Sequence, residues 1–254
     1  MDIENAHNNT PDNSGQPPPN PIAAAGLLRL LMLSSTALPI GAYCYSQGVE
    51  TAIERGIIRH EASALAYFED VLELVLARYE LPMLAKMIAA SVDRASSEKT
   101  DQAEFLALAE RYRASRESRE LLAETQQLGF SLNAWIRDVL KQLVTVDGKL
   151  GFLPVYAQLA ARLQLPVADC LTAYAFAMLE NQVLAVVKTV PLGQMSGQRV
   201  LWALHAQIPA AVQSALQISQ DSASPIARQP SNSLPSLAML SMQHESQYSR
   251  LFRS

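Results

Sequence analysis

From residue 22 to residue 220 the chain has few helix breakers, and its apolar positions recur at helical spacing. Ala, Leu, Glu, Gln and Arg dominate this body, all of which favour helix. The Asn, Asp and Gly clusters that mark hairpins are scarce, and no strand–helix alternation or fixed-period repeat is present. Pattern and punctuation predict helices over 22–34, 42–56, 60–79, 81–95, 101–114, 117–143, 151–163, 166–189 and 193–218. Pro82 is expected to open a helix in its first turn, where a missing N–H costs nothing. Asp147-Gly148 should turn the chain, and Pro166 and Pro191 should sit at similar joints. The pairs Arg113/Glu117 and Arg116/Glu120, four apart, should support one helix face, while Glu120/Glu124 repel. The fold class is all-α, a single-domain bundle of about nine to ten helices.

Two segments break the pattern. Residues 1–21 are polar, acidic and proline-rich and read as a disordered tail outside the helical domain 22–220. Residues 221–236, DSASPIARQPSNSLPS, read as a flexible linker. Beyond them, 237–254 carries Tyr248, Arg250, Leu251 and Phe252, residue types that anchor interfaces, so it reads as a docking tail that gains order on binding.

Composition narrows the function. Hydrophobic residues make up 49% of the 254 and charged residues 17%, which allows a large core and leaves an apolar surface suited to partners. A net charge of −4 with few aromatic residues argues against nucleic acid. The N-terminus lacks the basic and apolar regions of a signal peptide. Two uncharged stretches, 30–49 and 200–220, are broken by Pro, Gly, Ser and Gln and do not read as membrane spans. Cys44 and Cys170 form no CxxC pair, and a reducing cytoplasm is the expected location.

Motifs for chemistry are missing. No P-loop is present: the Gly148-Lys149 pair is followed by Leu150. HExxH and GxSxG are absent, and none of His7, His60, His205 and His244 stands at ligand spacing with another His or Cys. Glu50 and Glu54, four apart, fit a solvated helix face. No P-loop nucleotide and no resident metal or cofactor is therefore expected from local motifs.

Four stretches stand out from a plain bundle. Leu38-Pro39-Ile40-Gly41 leads to Tyr45-Ser46-Gln47-Gly48-Val49-Glu50. Arg116-Glu117 and Arg119-Glu120-Leu121 lead to Gly129-Phe130-Ser131-Leu132. Pro191-Leu192-Gly193-Gln194 leads to Gly197-Gln198, where glycines four apart let another backbone come close. His244-Glu245 opens the final stretch to Ser254. As bare patterns these fit an interhelix turn, a charged helix face and a docking end equally well.

Together and in this order, they resemble the UreF family of urease accessory proteins from about residue 27 to the end. The resemblance implies an all-α homodimer that binds a UreD-type (UreH) protein. That pair recruits a UreG-type GTPase, and the assembly delivers nickel to the urease apoprotein. It further implies a non-catalytic subunit, with a role in regulating the GTPase. By motif position, Tyr248, Arg250, Leu251 and Phe252 should anchor the UreD-type partner. Tyr45, Gln47, Glu50, Lys188, Gln194, Gln198 and Arg199 should form a polar surface toward the GTPase or the metal path. Two other classes remain open: a nickel-binding chaperone using Cys44, Cys170 and His244, and a helical enzyme around Glu50 and Lys188.

Overall fold

The computed structural model describes residues 24–93, 99–190, 192–220, 230 and 234–253. The expected tail 1–21, most of the linker 221–236 and Pro191 lie outside them. The described residues hold α-helices and no strand. The elements are α1 (Ala24–Ser34), α2 (Val49–Glu54), α3 (Glu61–Asp70), α4 (Leu81–Asp93), α5 (Lys99–Ala114), α6 (Arg119–Asp138), α7 (Phe152–Arg162), α8 (Val167–Thr189), α9 (Gln194–His205), α10 (Ile208–Gln220) and α11 (Pro235–His244).

The expected joint before Pro82 is absent. A π-helical segment, Val71–Glu80, links α3 to α4 in one run. Its wider register shows where the Leu81 N–H reaches back to the Leu76 carbonyl, one residue farther than in an α-helix. Pro82, which has no N–H to give, follows directly, and the run continues instead of starting anew. The expected helix 42–56 is also divided. A 3₁₀ turn at Ala42–Cys44 precedes α2, and Gly41, Gln47 and Gly48 between and around them have positive φ. The span 193–218 divides into α9 and α10, with Pro209 in the first turn of α10.

Side-chain caps set other boundaries. His60 caps α3, accepting from the Ser63 N–H in a capping box. Ser118 caps α6, its hydroxyl accepting from the Leu121 N–H at 3.1 Å. α5 therefore ends before α6 begins, and the pairs expected across 113–120 do not lie on one helix. Arg113 bonds Glu110, Arg116 bonds Glu80 and Glu120 bonds Arg250 instead.

α7 is the centre of the bundle, buried from Phe152 to Ala157 and packed on α4 and α6. α8 lies beside it, with Cys170, Leu171, Tyr174 and Ala175 inward. Its 23 residues are long and apolar enough to cross a membrane, but half of its most apolar stretch is buried within the bundle. Burial of each large core side chain contributes about 1.5–3 kcal/mol.

α6 and the turn before α7 approach backbone to backbone. A Cβ on Gly129 would lie 2.7 Å from the Gly148 carbonyl oxygen and 2.9 Å from that of Gly151. Neither atom is a side chain that can swing away. Gly129→Ala should therefore destabilise by roughly 1–3 kcal/mol. A urea midpoint equal to that of the parent chain would show that the α6–turn contact is looser than this.

Candidate functional site

The turn 45–50, the start of α6, the middle of α8 and the C-terminal segment converge on one polar cluster. Glu50 opens it. α2 begins at Val49, so Glu50 lies in the first turn, where a carboxylate suits the helix dipole. It is buried, and its oxygens accept three hydrogen bonds. Oε1 accepts from the Leu251 N–H (2.7 Å), and Oε2 from the Phe252 N–H (3.0 Å) and His244 Nε2 (3.2 Å). The His244 ring is fully buried, and its Nδ1 lies 2.7 Å from Glu120 Oε2. Arg250 donates to the other oxygen of Glu120 at 2.7 Å.

Further contacts close the segment onto the body. The Arg253 N–H donates to the Cys44 carbonyl at 2.8 Å. Ser118 and Ser241 share a buried hydroxyl–hydroxyl bond of 2.6 Å. Glu245 accepts from both the backbone and the guanidinium of Arg119. Partial desolvation raises the Glu245 carboxyl, but these bonds outweigh it and hold it below the usual carboxylate range. Gly48 permits the closure: a Cβ there would meet Leu240 Cβ at 3.2 Å and the Ser241 nitrogen at 3.3 Å, and its φ is +84°.

Deeper in, Gln182 donates to Gln47 (2.5 Å) and Gln47 donates to Glu124 (2.7 Å). Below them Arg116 Nη1 donates to Glu80 Oε1 (2.9 Å), and the Tyr174 hydroxyl donates to Glu80 Oε2 (2.8 Å). The Arg116 guanidinium lies 4.4 Å over the Tyr112 ring.

The residues expected to bind partners thus fall into five settings. Tyr45, Gln47, Glu50, Arg250 and Phe252 hold the C-terminal segment or its seat. Tyr45 is buried, and burial raises its hydroxyl pKa against the opposing pull of Arg253. Phe252 is buried too. Tyr248 and Leu251 point outward, Leu251 with 63% of its surface exposed and Tyr248 fully exposed. Lys188 lies at the edge of the seat, its Nζ 5.9 Å from the Tyr43 ring and 6.0 Å from the Phe252 ring. Gln194 and Gln198 stand apart on exposed positions of α9. Arg199 is committed to a bidentate pair with Glu61 of α3. The close backbone approach expected at Gly193 and Gly197 occurs at neither: Gly197 packs against the side chains of Val187 and Val183 of α8, and Gly193 is open.

Glu80, Glu120, Glu124, Gln182 and His244 are cluster members that the sequence reading did not place there. The available signals are the places of Glu120 and His244 in the second and fourth stretches and the like-charged pair Glu120/Glu124, which a helix tolerates when each carboxylate has its own partner elsewhere. Among the described residues no group of three or more His, Cys, Asp or Glu is arranged to hold a metal ion. Burial pushes the Cys170 thiol up to about 12, so it is protonated near neutral pH.

A second feature is an apolar groove of about 620 Å³ between α1, α8 and the α9–α10 corner, lined by Leu27, Leu31, Ala173, Phe176 and Ile208 among others. Leu27, Leu28 and Leu31 of α1 are half exposed beside it.

The family model UreF matches residues 58–205. Among curated proteins, the chain is 44% identical to a urease accessory protein UreF from Azoarcus sp. (strain BH72), over 90% of this chain and 95% of that one. It is 41% identical to the protein of the same name from Janthinobacterium sp. (strain Marseille), over 91% and 99%. It is 42% identical to that from Dechloromonas aromatica (strain RCB), over 90% and 97%.

Proposed function

Because the chain belongs to the UreF family of urease accessory proteins, we propose that it is a non-catalytic cytoplasmic scaffold for insertion of nickel into urease. In this reading it forms a homodimer and binds a UreD-type (UreH) protein. That pair recruits a UreG-type GTPase, whose activity it regulates, and presents the assembly to the urease apoprotein.

The observation that supports the partner role most directly is the C-terminal segment. It is held by buried polar bonds, yet it turns Tyr248 and Leu251 to solvent beside Arg250. A rigid display of an aromatic and an aliphatic anchor limits the ordering cost of association. The apolar groove supports the homodimer. Its α1 leucines and its α8 wall share one face, so the same patch on two copies can meet about a two-fold axis. Gln194 and Gln198, exposed on α9 away from the segment, are suited to the GTPase, with Lys188 at the edge of the segment's seat.

The test is co-purification of the full chain with UreD- and UreG-type proteins, read by light scattering. Tyr248→Ala and Leu251→Ala remove surface the fold does not use, so the melting temperature should stay within about 1 °C while capture of the UreD-type protein falls at least tenfold, the factor hot-spot anchors carry. Undiminished capture by both variants would remove the segment from the interface. These variants are cleaner than deleting 237–254, which would also strip Glu50 and Glu120 of their partners.

A further inference from the structure

The apolar groove is walled by Leu27 and Leu31 of α1 and by Ala173 and Phe176 of α8. Leu28 and Met32, four apart on α1, lie outside its lining, 61% and 52% exposed, and form a ridge beside it. A groove of about 620 Å³ next to an exposed apolar ridge is self-complementary, because what one copy lacks a second copy supplies.

Charges at the two ends of this face set a direction. α1 and α8 run the same way: Arg29 Nη1 donates to the carbonyl of Leu163, just before α8, and the Ser34 hydroxyl lies 3.4 Å from the carbonyl of Ala173. Each α1–α8 layer therefore holds an exposed cation, Arg29, at the end where α8 begins. Asp169 shares that end of the groove. Glu180 lines the other end, about 16 Å farther along α8 by helical rise. Burial alone raises its carboxyl, with no hydrogen bond or neighbouring cation to offset it. Two layers packed parallel would crowd both Arg29 side chains at one end and set Glu180 against its own copy at the other. Antiparallel layers bring the Arg29 end of each copy to the Glu180 end of the other.

We propose that a second copy of this chain fills the groove: the Leu28–Met32 ridge of each copy enters the groove of the other, the α1–α8 layers run antiparallel, and Arg29 of one copy pairs with Glu180 of its partner. The inference rests on the homodimer of the reading above and adds its register. The pair acts mainly in specificity, since like charges brought together there cost more than unlike charges gain.

The experiment is size exclusion with light scattering on the full chain over a dilution series, with thermal melts to confirm folding. Arg29→Glu and Glu180→Arg each place like charges in contact and should weaken the dimer at least tenfold. The double variant Arg29→Glu, Glu180→Arg restores opposite charges and should return to within about threefold of the parent chain. Glu180→Gln keeps the size of the side chain and should weaken the dimer about three- to fivefold; it serves if Glu180→Arg melts early. A dimer indifferent to the single reversals, or a double variant as weak as either single one, would overturn the register and leave the homodimer standing. A parent chain that stays monomeric would overturn both. Reversals that spare the dimer but abolish capture of the UreD-type protein would give the groove to that partner instead.

Discussion

Arg116→Ala should lower global stability by about 3–5 kcal/mol, the usual cost of removing one partner from a buried ion pair. The side chains of Arg116 and Glu80 are only 9% and 5% exposed. Removing the guanidinium leaves the buried Glu80 carboxylate, at the end of the π-helical segment, facing the Tyr174 hydroxyl of α8. It also empties the space over the Tyr112 ring. Neither group can escape to water without opening the bundle. Burial already raises the Tyr112 and Tyr174 hydroxyls well above the ordinary range, so neither tyrosine can supply charge. In thermal unfolding the loss corresponds to roughly 10 °C for a chain of this size. A combined Arg116→Met, Glu80→Leu, Tyr174→Phe variant should recover most of it, since apolar replacement of a whole buried network is often neutral. If the triple variant is as unstable as Arg116→Ala, the network contributes attraction beyond its desolvation cost.

That pair also shows where sequence reasoning stopped. Helical spacing was enough to indicate α6, α7 and α8, because their apolar faces repeat with the helix period and their ends carry Ser118, Asp147-Gly148 and Pro166. The same spacing assigned Arg116 and Glu120 to one exposed face, which holds only if a single helix runs through both. Ser118 ends that possibility by capping α6, and Arg116 then turns inward to Glu80, 36 residues earlier. The partner of a buried charge is a tertiary fact with no local signature. The terminal segment was misjudged in the same way. Its anchors were visible as Tyr248, Arg250, Leu251 and Phe252, but Phe252 and Arg250 are used within the chain. Glu120 holds the Arg250 guanidinium and Glu50 holds the Phe252 amide; Glu50 reads as solvated because its neighbour at four residues is another glutamate. The joint expected at Pro82 failed for a different reason: a proline can continue a helix whose preceding turns are widened, and the π register is not written in residue type. The family motifs, in contrast, lie mostly together in space. Three of the four stretches contribute to one cluster, while the third supplies α9, which packs on α8 and α3.

Glu50→Ala should have an effect of similar size but different reach. Three donors lose their acceptor at once: the Leu251 and Phe252 amides and His244. By the buried-pair rule the cost is about 3–5 kcal/mol. Here, however, the orphaned groups belong to a terminal segment that can leave. The chain can peel 235–253 from its seat and return its polar groups to water. It then forfeits burial of Phe252, Leu240 and Ala238, each large side chain worth about 1.5–3 kcal/mol. The penalty is thus capped by the docking free energy of the segment, and the damage is local. Exchange of α11 and the residues after it should approach that of an unstructured chain, while α4 and α7 keep nearly full protection. Removal of Arg116 should instead speed exchange everywhere through global unfolding. The apolar seat uncovered on α2 and α6 would be sticky, so Glu50→Ala should also elute as larger species in size exclusion. If α4 and α7 lose protection along with α11, the terminal segment is an integral part of the bundle, and its display of Tyr248 and Leu251 cannot be regulated without unfolding the scaffold.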